Sequence, residues 1–282
     1  MVDRRERNVE IFEDSMQWIT EHAKLKAELK ESIQAQELFL EIEEVKQGNI
    51  EQRFDETKIV VSKKRSFEAA SSYARAGKKV AVLNFASATN PGGGVKHGSS
   101  AQEEALCRCS TLYPCLEQKK LFATFYGPHR SANNPLYNND CIYTPGIVVF
   151  KSDVSYPERM KETDWYTVDV ITCAAPNLRE RPSNRYNPNA GKQQAKLSNE
   201  ELLKLQEARI ARIFEIAAQH KVDVLILGAF GCGAFCNPPE VVAQAFSNVQ
   251  KKYKGCIETI EYAIYCRDYE SANYDEFCRV MG

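Results

Sequence analysis

The sequence predicts an α/β fold in which a largely parallel or mixed sheet is covered by helices on both faces. Three observations lead there. Short runs rich in Val, Ile and Leu alternate with longer stretches of helical period. Several of these runs are apolar along their whole length, as strands buried on both faces are. Glycine-rich turns stand where the best runs hand over to helices. With 282 residues against a usual domain size of about 150, the chain is one elaborated domain or a domain with an appendage.

The elements follow in order. From Glu10 to about Lys46, the residues Ile11, Phe12, Met16, Ile19, Leu25 and Leu29 recur at roughly helical spacing with no Gly or Pro between them, which predicts an arm of one or two helices. A strand follows at 58–63, then a short helix that Ser66 can cap and Gly77 can stop. KKVAVLNFAS reads as a strand buried on both faces, with further strands at 146–151 and 167–175. Between 176 and 197 lies a loop rich in Asn, Pro and Arg; at about twenty residues, such a loop inside a domain is usually functional or mobile. Ser198 and Glu201 make an S-x-x-E capping box for a long helix, after which come a strand at 222–230, a helix around VVAQAFSNVQKKY, a strand at 257–266 and a last short helix near 275–280.

Composition narrows the function. Hydrophobic residues at 43% and charged residues at 27% are ordinary for a globular protein. The 37 Lys and Arg nearly cancel the 38 Asp and Glu, so summed phosphate contacts cannot hold duplex nucleic acid, and direct duplex binding is not expected. A nucleotide, if bound, needs a local pocket. The charged start leads into no signal-like apolar region, and no run approaches the ~20 apolar residues of a membrane span, so a cytoplasmic protein without membrane contact is expected. The ten cysteines form no zinc-type spacing with His and read as packed, reduced thiols; no metal is expected.

Ligands in open α/β sheets collect at the carboxyl ends of strands, which directs attention to two loops. In the first, Asn90 and Pro91 initiate a turn, Gly92, Gly93 and Gly94 free the backbone for close approach to a ligand, and Gln102, Glu103 and Glu104 open a helix that Ser99 or Ser100 can cap. A glycine triplet is also a common flexible turn, and acidic residues in a first turn also complement the helix dipole. In the second, Gly231, Cys232, Gly233, Ala234 and Phe235 offer unhindered N–H groups of the kind that cradle a diphosphate. No Lys-Ser/Thr pair follows, and the spacing is not G-x-G-x-x-G, which disfavours a P-loop nucleotidase or a nicotinamide-type enzyme. His97 reads as a solvent-facing loop residue, Trp18 and Trp165 as packing aromatics, and Arg179, Arg181 and Arg185 as loop charges able to meet phosphates.

Taken together, a GGG triplet, seven intervening residues and then QEE resemble the signature of poly(ADP-ribose) glycohydrolases of the microbial type. The likeness continues through NFASATNPGGG, QEEALCRCSTLYPCL, YTPGIVVFKSD, VDVITCAAPNLR and LGAFGCGAFCNPP, from about Ser62 to the C-terminus. The resemblance implies a three-layer α/β/α macrodomain with a mixed central sheet over 52–282, preceded by a helical extension over 1–51. It further implies that Asn90 and Gly92 to Gly94 lie against the distal ribose and diphosphate of ADP-ribose. Gly231 to Phe235 would wrap the diphosphate, with Phe235 on the ribose. Glu104 corresponds to the catalytic carboxylate, Glu103 to a contact with ribose hydroxyls, and Gln102 to part of the substrate site.

The implied reaction is hydrolysis of ribose–ribose O-glycosidic bonds in ADP-ribose polymer, releasing ADP-ribose from the chain end without a cofactor, with ADP-ribosylated proteins as substrates. Neighbouring helix residues point ~100° apart, so one carboxyl is expected to make both proton transfers. Two alternatives stand beside this reading: hydrolysis of mono-ADP-ribose on protein or nucleic acid, and a reader that binds ADP-ribose without cleaving it.

Overall fold

The computed structural model describes residues 3–42 and 51–282. Strands β1 (Glu37–Phe39), β2 (Lys58–Ser62), β3 (Val80–Phe85), β4 (Cys141–Val149), β5 (Tyr166–Cys173), β6 (Val224–Leu227) and β7 (Thr259–Ala263) form one sheet in the order β1-β4-β5-β3-β6-β7-β2. The β5-β3-β6-β7-β2 portion is parallel, while β4 pairs antiparallel with both β1 and β5. The helices are α1 (Arg4–Glu21), α2 (Ala23–Gln34), α3 (Ser66–Arg75), α4 (Gln102–Cys109), α5 (Leu112–Leu116), α6 (Lys119–Leu121), α7 (Gly127–Ala132), α8 (Asn199–Gln219), α9 (Pro239–Gln250) and α10 (Ala272–Met281).

The mixed three-layer α/β/α arrangement follows from the side-chain alternation of the strands. In β3, Ala81 and Leu83 join a core with Ile210, Phe214, Val242 and Phe246 of α8 and α9. Val80 and Val82 point the other way, into a core with Phe67, Leu106 and Leu112 of α3, α4 and α5. Strands covered on both faces carry no polar side, which is why these runs read as continuously apolar.

The amino-terminal arm is two helices, α1 and α2, broken at His22, whose extended backbone ends one helix and precedes the next. Ile11, Phe12, Ile19 and Leu25 are buried, each contributing roughly 1.5–3 kcal/mol, so the arm is fastened to the domain. Helix was expected to continue to about Lys46. Instead α2 ends at Gln34, and Glu37, Leu38 and Phe39 pair with Tyr143, Ile142 and Cys141 as an edge strand. Pairing with β4 decides this, because three residues carry no period of their own. The last part of the expected arm, 43–46, lies outside the described residues.

Two expected caps are also different. Arg65, not Ser66, occupies the N-cap of α3, and the Asp153 carboxylate accepts from the Phe67 N–H at 2.9 Å. Ala101, not Ser99 or Ser100, precedes α4 and makes no side-chain cap. The strand expected at 146–151 starts earlier, at Cys141, with an irregularity between Thr144 and Ile147 that breaks its pattern. The Ser198–Glu201 capping box is present, with the Glu201 N–H donating to the Ser198 hydroxyl at 3.2 Å.

Candidate active site

A crevice of about 1400 Å³ opens above the carboxyl ends of β3, β6 and β7, and both glycine loops line it. It lies where the parallel strands release their loops, the usual position for a ligand in such a sheet.

The first loop folds back over the start of α4. Gly92 and Gly93 adopt φ of +64° and +59°. A Cβ on Gly93 would stand 2.5 Å from Glu104 Oε1 and 3.0 Å from Glu103 Oε2, so glycine is required here because two carboxyls crowd the backbone. Glu104 Oε1 accepts the Gly94 N–H at 2.8 Å, whereas its buried Oε2 has no hydrogen-bond partner. Glu103 accepts the Ser87 N–H at 2.8 Å and the Asn84 amide at 3.4 Å.

Both carboxyls are buried, and both hold their protons above the ordinary carboxylate range. For Glu103, burial is the main cause and the neighbouring Glu104 charge adds to it, against the N–H groups of Ser87 and Gly92 and the Asn84 amide. Burial likewise raises Glu104, opposed by the Gly94 N–H and the Arg108 guanidinium. The net direction is upward even at a helix N-terminus, where the dipole alone would lower a carboxyl. A carboxyl that keeps its proton to higher pH than an exposed one, with one oxygen uncommitted, is equipped to give that proton to a bound oxygen.

The sequence-predicted residues divide into two groups. Glu103, Glu104, Asn90, Gly93 and Gly94 meet at one wall, and Gly231, Gly233, Ala234 and Phe235 at another. Gly92 and Cys232 belong to the same loops without lining the crevice; Gly92 packs where a Cβ would stand 2.6 Å from the Tyr113 ring. Gln102 lines the crevice as well, and it also has a structural task. Its amide accepts the Phe85 N–H at 2.9 Å and donates to Leu83 O at 2.8 Å and Ser66 Oγ at 3.0 Å, so it moors α4 to the end of β3. These bonds to β3 and α3 position the glutamates that follow it.

The second loop is held open by a residue that sequence reasoning missed. Asn237 is buried and donates to Pro176 O at 2.7 Å, Gly231 O at 3.1 Å and Phe235 O at 3.3 Å, while its own oxygen accepts from Gln206 at 2.9 Å. Among the described residues, the N–H groups of Gly233, Ala234 and Phe235 donate to no backbone carbonyl, which leaves a row of donors for an anion. Arg130 was missed as well: it donates to Thr89 O at 2.6 Å and Asn90 Oδ1 at 2.8 Å, fixing the entrance to the first loop. So was Asn8 of α1, whose amide donates to Gly98 O at 2.9 Å, pressing the arm against that loop.

Of the other residues considered, exposed His97 stacks on Tyr186, and Trp18 packs edge-on against Trp165 and Phe150. Arg179 and Arg185 line the crevice; exposed Arg181 does not. The ten cysteines are free thiols, six of them the buried Cys107, Cys109, Cys115, Cys141, Cys173 and Cys256, and no metal-holding cluster of His, Cys, Asp and Glu occurs among the described residues.

Comparison with known proteins places the chain in a family. A family model of the microbial-type PARG catalytic domain matches residues 9–152. No curated protein matches. Among solved structures, the poly(ADP-ribose) glycohydrolase (PARG) of Thermomonospora curvata is 27% identical over 97% of this chain and 98% of its own, with a TM-score of 0.82. The same enzyme bound to the inhibitor ADP-HPD gives 27% identity over 96% of this chain and 98% of its own, with a TM-score of 0.79. The Deinococcus radiodurans enzyme in complex with ADP-ribose gives 29% over 90% and 96%, with a TM-score of 0.75.

Proposed function

This chain belongs to the microbial-type poly(ADP-ribose) glycohydrolase family, and from that premise we propose that it cleaves the ribose–ribose O-glycosidic bonds of ADP-ribose polymer with Glu104 as the proton-transfer group. The observation that carries this assignment is the pairing within one buried carboxyl: Oε1 is fixed by the Gly94 N–H, and Oε2 is without a partner.

With ADP-ribose in the crevice, the diphosphate lies against the N–H groups of Gly233, Ala234 and Phe235, and the distal ribose lies over the first loop. Glu104 Oε2 gives its proton to the departing ribose oxygen as the anomeric C–O bond lengthens. Positive charge grows on the ribose ring, and the substrate's own diphosphate stabilises it. The resulting Glu104 carboxylate then takes a proton from water, whose oxygen bonds to the anomeric carbon, and the acid is restored. Glu103 has about four acceptor sites, three of them engaged by Asn84 and the N–H groups of Ser87 and Gly92. The remaining one suits a single ribose hydroxyl.

Cleavage runs from the polymer end in this reading, and Arg4, Arg5 and Asn273 also stand among the crevice walls. Proteins carrying the polymer are the macromolecular substrates, in the cytoplasm. No helix among the described residues is long and apolar enough to cross a membrane. The test is product analysis with automodified polymer: monomeric ADP-ribose is expected from the first time points. No released ADP-ribose would overturn the activity, and early oligomers would overturn cleavage from the end.

A further inference from the structure

The crevice wall beside the catalytic loop carries three side chains that the proposed reaction does not use. Tyr186, in the loop that follows β5, is 44% exposed and stacks on His97, in the turn after Gly94, with ring centroids 4.4 Å apart and planes at 29°. The Arg185 guanidinium lies 4.4 Å from the Tyr186 ring centroid, and its Nη2 donates to the Tyr186 hydroxyl. All three residues line the crevice. Nearby Lys96 is engaged with Glu117 at 2.6 Å, so Arg185 is the cation in contact with the Tyr186 ring, while Arg4 and Arg5 also line the crevice.

The rim is built rather than incidental. The Asn90 amide donates to Tyr186 O at 3.2 Å, the Thr89 hydroxyl donates to Asn187 Oδ1 at 2.8 Å, and Arg130 braces both Thr89 and Asn90. These bonds tie the long loop to the catalytic loop through backbone and neighbouring side chains, so the Tyr186 ring is presented without holding the loop itself. Sheet order sets its side. The donors at Gly233 to Phe235 follow β6, and Tyr265 and Arg65 lie past β7 and before α3, so the bound unit's diphosphate and adenosine extend over β6, β7 and β2. The His97–Tyr186 rim belongs to the loops after β3 and β5, strands that lie on the far side of β6 from β7 and β2.

We propose that His97, Arg185 and Tyr186 form a subsite for the departing unit of the polymer, stacking its purine and meeting its diphosphate. This rests on the glycohydrolase reading above and names what that reaction holds on its leaving side. An exposed aromatic stack with one guanidinium suits a base and a phosphate regardless of sequence.

The test uses the full chain with Tyr186→Ala, Arg185→Ala and Tyr186→Trp, comparing steady-state release of ADP-ribose from polymer with calorimetric binding of free ADP-ribose. The expected result for Tyr186→Ala is a KM for polymer raised roughly tenfold, from loss of base stacking, with kcat changed much less and the ADP-ribose Kd within twofold. Tyr186→Trp restores the polymer KM, and Arg185→Ala raises KM while flattening its salt dependence. An unchanged polymer KM in Tyr186→Ala beside an active wild type overturns the subsite. So does an equal weakening of ADP-ribose binding, which would make the ring part of the ADP-ribose site or of the loop's fold. An inactive wild type would instead overturn the glycohydrolase reading.

Discussion

Replacing Gly93 by Ala adds one methyl group at the point where the two glutamates converge. Two costs arise. At φ of +59° an L-residue is disfavoured by about 1–2 kcal/mol relative to glycine. The new Cβ would stand 2.5 Å from Glu104 Oε1, so that carboxyl must retreat by about 1 Å to reach ordinary contact distance. Retreat breaks or bends its 2.8 Å hydrogen bond from the Gly94 N–H and moves Oε2 from where the leaving oxygen comes to lie. A displacement of about 1 Å costs roughly 100-fold in rate when a proton must be delivered along a fixed line. The strain alone lowers the melting temperature by only about 2–8 °C in a domain of this size. Thermal melts and saturating polymer hydrolysis therefore separate the two effects: a folded protein with kcat reduced about 100-fold is expected. A folded Gly93→Ala variant with kcat within threefold of wild type would refute the claim that this glycine exists to admit the carboxyls.

Three further outcomes follow from the same geometry. The raised pKa of Glu103 means that the native state binds a proton more tightly than the unfolded chain; the stability this contributes is full below about pH 4.3 and is lost as pH rises through the native value. Glu103→Gln cannot titrate, so its stability relative to wild type improves from about pH 4 to neutral pH; denaturant midpoints showing a pH-independent difference would contradict this. Asn8→Ala removes the donor to Gly98 O at a buried position, and a loss of about 1–3 kcal/mol in urea melts is expected together with lower kcat; unchanged activity would detach α1 from the catalytic loop. Asn237→Ala releases the three carbonyls that shape the second loop, so calorimetry should show ADP-ribose binding weakened about tenfold or more, and an unaltered Kd would remove that loop from diphosphate binding.

Much of the fold was legible because the strands are buried on both faces. Val80 to Leu83 and Val224 to Leu227 are apolar without interruption, and a mixed sheet between helix layers is the arrangement that satisfies them. The candidate site was legible as two loops, since glycines at Gly92 and Gly93 mark positive φ and the acids that follow lie on a helix start. The rest depended on contacts distant in sequence. Nothing local marks Glu37 to Phe39 as a strand until Cys141 to Tyr143 stand beside them. Ser99 and Ser100 have the right chemistry to cap α4, yet Ala101 holds the cap position and the Ser99 carbonyl is taken by Arg108 at 2.6 Å. Gln102 was legible as a crevice residue because it adjoins the glutamates, but its mooring role was not, since its partners Leu83, Phe85 and Ser66 all come from earlier elements. Asn8, Arg130 and Asn237 act on backbone carbonyls of other segments, a role that leaves no pattern in a single chain.

Glu104→Gln tests the central claim most directly, because it keeps the shape of the side chain and removes only its capacity to give and take a proton. Measured on automodified polymer and by calorimetry with free ADP-ribose, the variant is predicted to lose about 100-fold to 10,000-fold in kcat while its ADP-ribose Kd stays within a few-fold of wild type. Near wild-type turnover in Glu104→Gln would contradict the assignment and move proton transfer to another group in the crevice.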